Sequence, residues 1–229
     1  LDLWSTFAGL PGAGSTGDPV LGDDTGTGVS PALLPDDRVD NNVVLIGSRM
    51  YVACYTAGEQ SSRTPRLCYY DFEDPVTSHW VRFSFNRPPF TEFATMVGYK
   101  VDKTSERQAE NRLYFFCEDG TVSYYDIDKN NWIIEVESLP TFGVTRENIA
   151  TAVFEDKVYF LGGNNGPATN GRTDCNVFDL KTKTFSTIAS SPYRIRSAQA
   201  VVVPEERLIY VFPVQFSSVG WLGYNAIMK

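Results

Sequence analysis

The sequence predicts an all-β chain made of repeated four-stranded antiparallel sheets, and three observations carry that expectation. Aromatic residues make up 14% of the 229 residues, with 12 Tyr and 15 Phe, and such side chains suit half-buried pleated surfaces. The stretch Arg146–Pro192 reads as four short strands in succession: RENIATAVFED, KVYFLGG, a polar loop, NVFDLKTKT and FSTIASSP. The same order then recurs, less cleanly, along the rest of the chain.

Taken in order, residues 1–10 (LDLWSTFAGL) read as an orphan outer strand ending in a turn. Residues 11–41 are rich in Gly, Pro, Asp and Thr, with almost no apolar periodicity, and read as a flexible linker. Residues 42–229 hold four units. The first runs from Val43–Ile46 through RMYVACYT and RLCYYDFED to HWVRFSF. The second runs from FATMVGYKV through RLYFFCEDG and TVSYYDIDKNN to WIIEVESLP. The third is the clean copy, and the fourth offers SAQAVVV, RLIYVFPV and WLGYNAIMK.

Spacing supports this register. Second-strand tyrosines fall at Tyr51, Tyr114, Tyr159 and Tyr210, in steps of 63, 45 and 51. Third-strand polar residues fall at Asp71, Asp126, Asp179 and Asn225, in steps of 55, 53 and 46. Fourth-strand aromatics fall at Trp80, Trp132 and Phe185, in steps of 52 and 53. The longer steps coincide with polar insertions such as Asp102–Asn111, where a loop grows at small entropic cost.

Each element has a physical reason. In KVYFLGG, Val158 and Phe160 alternate with Tyr159 and Leu161, so both faces are apolar and the strand is expected between two neighbouring sheets. Gly162-Gly163 permit a turn with unusual φ and a close backbone approach. The aspartate closing each third strand suits a tight turn, because its carboxylate accepts nearby backbone N–H groups. The aromatic residue after that turn fills space between sheets.

Such sheets, each sandwiched by its neighbours, make a β-propeller, and the pattern resembles the kelch repeat family. The resemblance lies in the glycine doublet after a hydrophobic strand, the Tyr/Phe-Asp pair and a tryptophan about six residues later. It also includes an arginine before the first strand, here Arg146 and Arg196, fifty residues apart. It covers residues 43–227. Only the third unit keeps the doublet. The first has Cys54-Tyr55, the second Glu118-Asp119-Gly120 and the fourth Pro213-Val214.

The fourth unit lacks a fourth strand. Kelch propellers commonly close by pairing a terminal strand with the last blade, which implies Leu3–Phe7 against Gly223–Ile227 in a four-bladed ring. In the alternative, Leu1–Pro11 finishes a blade absent from this chain, and a first residue that is not Met agrees with a partial piece. Both remain open.

Composition bounds the function. A formal net charge of -8, with no basic run, disfavours nucleic-acid backbones. The cysteines Cys54, Cys68, Cys117 and Cys175 show no paired spacing and suggest buried thiols in a reducing compartment, with a Cys54–Cys68 bridge as the alternative. With no glycosylation sequon, signal peptide or apolar run of membrane-spanning length, the expectation is an intracellular, cytoplasmic protein without membrane insertion. A cytoskeletal or organellar assembly is also compatible.

Several motifs read as chance. GAGSTG at Gly12–Gly17 matches a dinucleotide fingerprint, but Pro11 precedes it and no helix can start after it. GLPGAGST lacks the phosphate-binding lysine. Asp24-Thr25-Gly26 stands as a single copy where aspartic-protease chemistry needs two aspartates. His79 is the only histidine, so histidine-based metal centres and Ser-His or Cys-His pairs have little to draw on. No cofactor or metal is implied.

Strand alternation puts the loops between second and third strands on the same side as the connections between units. That side gathers Gly58–Pro65, Arg87–Thr91, Pro140–Arg146, Gly163–Arg172, Pro192–Arg196 and Phe216–Gly220. Long mixed loops on a rigid frame are where recognition concentrates. The candidate partner-binding residues are therefore Arg146, Asn164, Asn165, Arg172, Tyr193 and Arg196. Arg146 and Arg196 have two readings: structural arginines bonding loop carbonyls, or residues lining a face that receives acidic or polar peptides, as the kelch resemblance implies. The expected function is a non-enzymatic protein-interaction module, a scaffold or subunit of a larger assembly. The alternative is an enzyme or glycan-type binder using loop carboxylates and arginines.

Overall fold

The computed structural model describes residues 43–55, 65–73, 81–82, 89–90, 93–102, 110–117, 120–136, 139, 146, 148–164, 171–196, 198–212, 214–217, 220–223 and 226–228. The expected outer strand, the linker, His79, Trp80, Asn165, Asn225 and the proposed Leu3–Phe7 pairing lie outside them. The chain falls into two compact units, residues 1–91 and 92–229. Both are all-β, with no α-helix among the described residues. No helix there is long and apolar enough to cross a membrane.

The first unit holds one antiparallel sheet in chain order: β1 (Val43–Ile46), β2 (Arg49–Tyr55), β3 (Pro65–Asp71) and β4 (Val81–Arg82). Ile46 pairs with Arg49, so Gly47-Ser48 form a two-residue hairpin loop. Gly47 has φ +60°, as such loops require. Val52 and Cys68 are buried on one face with Met50 and Tyr70 against them. Cys68 is a buried thiol opposite Val52, while Cys54 lies opposite Arg66, so the alternative Cys54–Cys68 bridge is not formed.

The second unit holds two further four-stranded sheets of the same order. One is β5 (Phe93–Val101), β6 (Glu110–Cys117), β7 (Val122–Asp126) and β8 (Asn131–Val136). The other is β9 (Ala150–Phe154), β10 (Lys157–Leu161), β11 (Cys175–Asp179) and β12 (Thr184–Ile188). The β9–β10 hairpin turns on Glu155-Asp156, both at positive φ. All four second-strand tyrosines fall on second strands of sheets, including Tyr210 of β14 (Leu208–Phe212).

The third-strand aspartates work as turn acceptors. Asp126 Oδ1 accepts from the N–H groups of Asp128 and Lys129, at 3.2 and 3.1 Å. Asp179 Oδ1 accepts from Lys181 and Thr182, at 2.9 and 2.8 Å. In the first unit, Asp71 Oδ1 accepts from Glu73 at 3.1 Å.

The β9–β12 sheet is buried on both faces, as KVYFLGG suggested. Val158, Phe160 and Phe178 pack against Tyr114, Phe116, Val122 and Tyr124 of the preceding sheet. Phe116 meets Phe160 and Phe178 edge-on, at ring-centroid distances of 4.8 and 5.3 Å. On the opposite face, Leu161, Cys175 and Tyr159 pack against Val211, Ala200 and Ile209 of the next sheet. The first strands β5 and β9 are neighbours, and β9 also neighbours β13 (Gln199–Val203). The hydroxyls of Thr95 and Thr151 are 3.1 Å apart between β5 and β9.

The last part of the chain departs from the expected strand limits. β13 and β14 are joined through a 3-10 turn at Pro204–Glu206. A separate two-stranded hairpin follows, β15 (Val214–Ser217) with β16 (Gly220–Gly223), and then β17 (Ala226–Met228) returns to β14. The expected strand at Gly223–Ile227 is thus divided between β16 and β17. Pairing keeps one register across the division, from Ile209↔Met228 to Ser217↔Gly220. Pro213, a residue type without a backbone donor, lies between β14 and β15 in the sequence, outside the described residues. This last sheet has three strands, β13-β14-β17, and among the described residues β17 pairs only with β14. Among the described residues no closed ring is seen.

Candidate functional site

The loop end of the β9–β12 sheet brings two segments together, the β10–β11 loop and the connection after β12. Gly162 and Gly163 have φ +64° and +99°. A Cβ on Gly162 would lie 2.2 Å from Ile195 Cβ and 2.6 Å from its carbonyl oxygen, so only glycine fits there. Gly171 is closed in similarly, 2.6 Å from the same oxygen. Backbone bonds then join the segments. Gly163 N–H donates to Ile195 O at 3.0 Å, Arg172 N–H to Gly163 O at 2.8 Å, Ile195 N–H to Arg172 O at 2.8 Å and Ser191 N–H to Thr173 O at 2.7 Å.

Arg146 is buried beneath this clamp. Its Nε donates to Gly162 O, Nη1 to Asn176 Oδ1 at 2.7 Å and Nη2 to Asp174 O at 2.7 Å. The Asp174 carboxylate lies 3.7 Å away. Burial lowers the guanidinium's affinity for its proton, against the pull of Asp174. This placement is the carbonyl-bonding one of its two sequence readings. Asp174 also pairs with Arg172 Nε at 2.7 Å. Burial pushes its carboxyl up, but the Arg172 hydrogen bond and the charges of Arg146 and Arg172 leave it below the ordinary range.

Of the other candidates, Asn164 is fully buried and accepts from Asn148 Nδ2 at 3.0 Å. Arg172 forms an isolated bridge to Ile195. Arg196 is half-buried. Tyr193 is 55% exposed, with its N–H held by Ser191 Oγ at 3.2 Å. Next to it, exposed Arg194 anchors Nη1 on Gly171 O at 3.0 Å. The sequence reading named Tyr193, Arg172 and Arg196 but passed over Arg194, Asn148, Asn176 and Asp174. The Tyr-Arg-Ile-Arg run in a short inter-sheet segment was the available signal for Arg194.

At the opposite end of the β5–β8 sheet lies an ionic cluster. Buried Arg112 pairs with Glu110 at 2.6 Å, sits 3.8 Å from Glu135, donates to Tyr114 Oη at 3.0 Å and stacks 4.1 Å from the Tyr124 ring centre. Lys129 bridges Glu110 and buried Asp126 at 2.6 and 3.0 Å. Lys183, from the next sheet, reaches Glu135 at 2.8 Å. Glu135 is the extra residue where the β7–β8 register shifts, a bulge that gives the side chain its position. Burial, followed by Glu135, pushes the Tyr114 phenol far up. Three acids and three bases balance here, and each acid meets a cation. Among the described residues, no group of three His, Cys, Asp or Glu side chains converges as a metal site.

Neither protein-family models nor curated proteins yielded a match to this sequence.

Proposed function

We propose that this chain is a non-enzymatic protein-interaction module, a kelch-like β-propeller array serving as a scaffold or subunit of a larger assembly. The fold reading is supported by successive four-stranded antiparallel sheets packed face to face in the second unit, with β5, β9 and β13 side by side. The observation that carries the function is the clamped loop end, which holds Tyr193 and Arg194 outward on a base of internal hydrogen bonds. Aromatic and arginine side chains fixed in advance lose little entropy on docking and dominate interface energetics.

The docking partner is an acidic peptide segment. Residues 163–174 and 189–198 carry Arg172, Arg194 and Arg196 against one acid, Asp174, in a chain of net charge -8. Guanidinium groups pair carboxylates with two hydrogen bonds, which suits that partner. The test is to pan a random-peptide library on the intact chain and on the Tyr193→Ala, Arg194→Ala double variant. Asp/Glu-rich peptides should be enriched by the intact chain and bind the variant at least about tenfold more weakly. No enrichment, or equal affinity for both proteins, would overturn the proposal.

A further inference from the structure

We infer that β12 receives an extended peptide along its open edge, and that this peptide is the strand-forming continuation of the acidic segment proposed above. The three packed sheets of the second unit differ in how their last strand is guarded. β8 is interrupted by the bulge that places Glu135, a charged side chain, within the strand. β17 is only three residues long. Bulges, charges and short length are ways in which sheet edges avoid unwanted pairing. β12 has none of them. Thr184–Ile188 (TFSTI) carries no charge or proline and pairs with β11 in unbroken register, from Asp179↔Thr184 to Cys175↔Ile188. It stands last in its sheet, and among the described residues it pairs with β11 alone. Thr184, Ser186 and Thr187 are exposed. In such a strand every second residue turns its N–H and C=O away from the inner neighbour, and that outer row can bond an added strand.

What lies beyond each end of β12 selects the occupant. From Ile188 the chain passes through exposed Ala189 and Ser190 into the clamp, where Ser191 N–H donates to Thr173 O and Tyr193 and Arg194 are exposed. The edge is therefore continuous with the residues that receive carboxylates. Beyond the other end, Lys181 and Lys183 are already paired with Asp156 and Glu135, at 2.5 and 2.8 Å, and offer no competing pull. Antiparallel pairing is the arrangement throughout this sheet and the more stable one per residue. A strand added that way has its N-terminal end toward Arg194 and its C-terminal end toward Thr184. The partner segment is thus acidic first and strand-forming after, with β-branched residues favoured beside Phe185 and Thr187. Binding by this route extends the acidic-peptide reading and rests on it.

The experiment titrates the intact chain against fluorescein-labelled peptides, read by fluorescence polarisation. The first peptide is Asp-Glu-Asp-Glu followed by Thr-Val-Thr-Val-Thr. The second carries Gly-Ser-Gly-Ser-Gly in place of the strand half, and the third reverses the order of the halves of the first. Two more are N-methylated in the strand half, on one alternate set of backbone amides or on the other. The first should bind at least about tenfold more tightly than the second and the third. One methylated set should lose that gain and the other keep it, because only alternate amides of an added strand face β12. If the first three peptides bind alike and all weaken on the Tyr193→Ala, Arg194→Ala double variant, acidic docking stands and strand addition falls. Strand addition falls equally if the two methylated sets behave alike. If no peptide binds, both readings fall together.

Discussion

The β5–β8 and β9–β12 sheets solve the same problem with different chemistry. In each, the chain leaving the fourth strand folds back over a glycine that follows the second strand. In β5–β8 the glycine is Gly120, at φ +88°, and Leu139 N–H donates to its carbonyl at 2.8 Å. In β9–β12 it is Gly162, beneath Ile195, with buried Arg146 tying the closure to β11 through Asn176. The first sheet keeps its buried charge at the opposite end, in the Glu110-Arg112-Glu135 cluster. A repeat can therefore hold its backbone plan while moving its polar network from one end to the other. The end that receives the arginine becomes a firm platform for exposed side chains.

The largest expected effect tests whether each network is integral to its own sheet. Arg112→Leu removes one of the two cations that lie 2.6 Å from buried Glu110 and should cost about 3 kcal/mol in urea unfolding. Arg146→Ala, which strips partners from two carbonyls and Asn176, should cost about 3 kcal/mol. A loss below 1 kcal/mol in either would break the comparison.

The glycines sharpen it. Gly162→Ala drives a methyl into Ile195 and should destabilise by roughly 3 kcal/mol. A Cβ on Gly120 would lie 3.0 Å from Leu139 O, a milder approach, so Gly120→Ala should cost about 1–2 kcal/mol. Equal losses would mean that the positive φ, and not the close contact, sets the requirement.

The smallest effect concerns pH. Asp174 is lowered as described, and Asp156 is lowered by hydrogen bonds from Lys181 and Tyr99. Asp179 is lowered chiefly by the Thr182 N–H. A folded carboxyl below its unfolded value stabilises fully above about pH 4, and that contribution is lost as pH falls through the folded value. Urea midpoints should therefore drop on acidification below about pH 4. Asp174→Asn should flatten that drop modestly, and an unchanged slope would remove Asp174 from the account.

Much of the sheet plan was legible because it rests on local chemistry. Tyr51, Tyr114, Tyr159 and Tyr210 mark second strands, Asp71, Asp126 and Asp179 close third strands by accepting backbone N–H groups, and Gly162-Gly163 mark a close approach. The ionic cluster was not legible. Glu110, Arg112 and Glu135 look like solvent-facing charges in a strand pattern, and only the bulge at Glu135 and the reach of Lys183 from another sheet bring them together. The β15–β16 hairpin was hidden for a related reason. Pro213 reads as a terminator, whereas pairing resumes beyond it in the same register. For the loop end, spacing selected the side of the sheets, but whether Arg146 faced inward depended on Asn176 and Asp174, far along the chain.

The Arg172–Gly163 backbone bond has one more consequence. It fastens the base of residues 164–171, so a longer or shorter tip alters only the closure entropy of a small ring, which grows slowly with length. Insertions and exchanged sequences within residues 165–170, between buried Asn164 and closely packed Gly171, should leave both flanking strands in place. This is where new recognition specificity can be grafted at least risk to the scaffold.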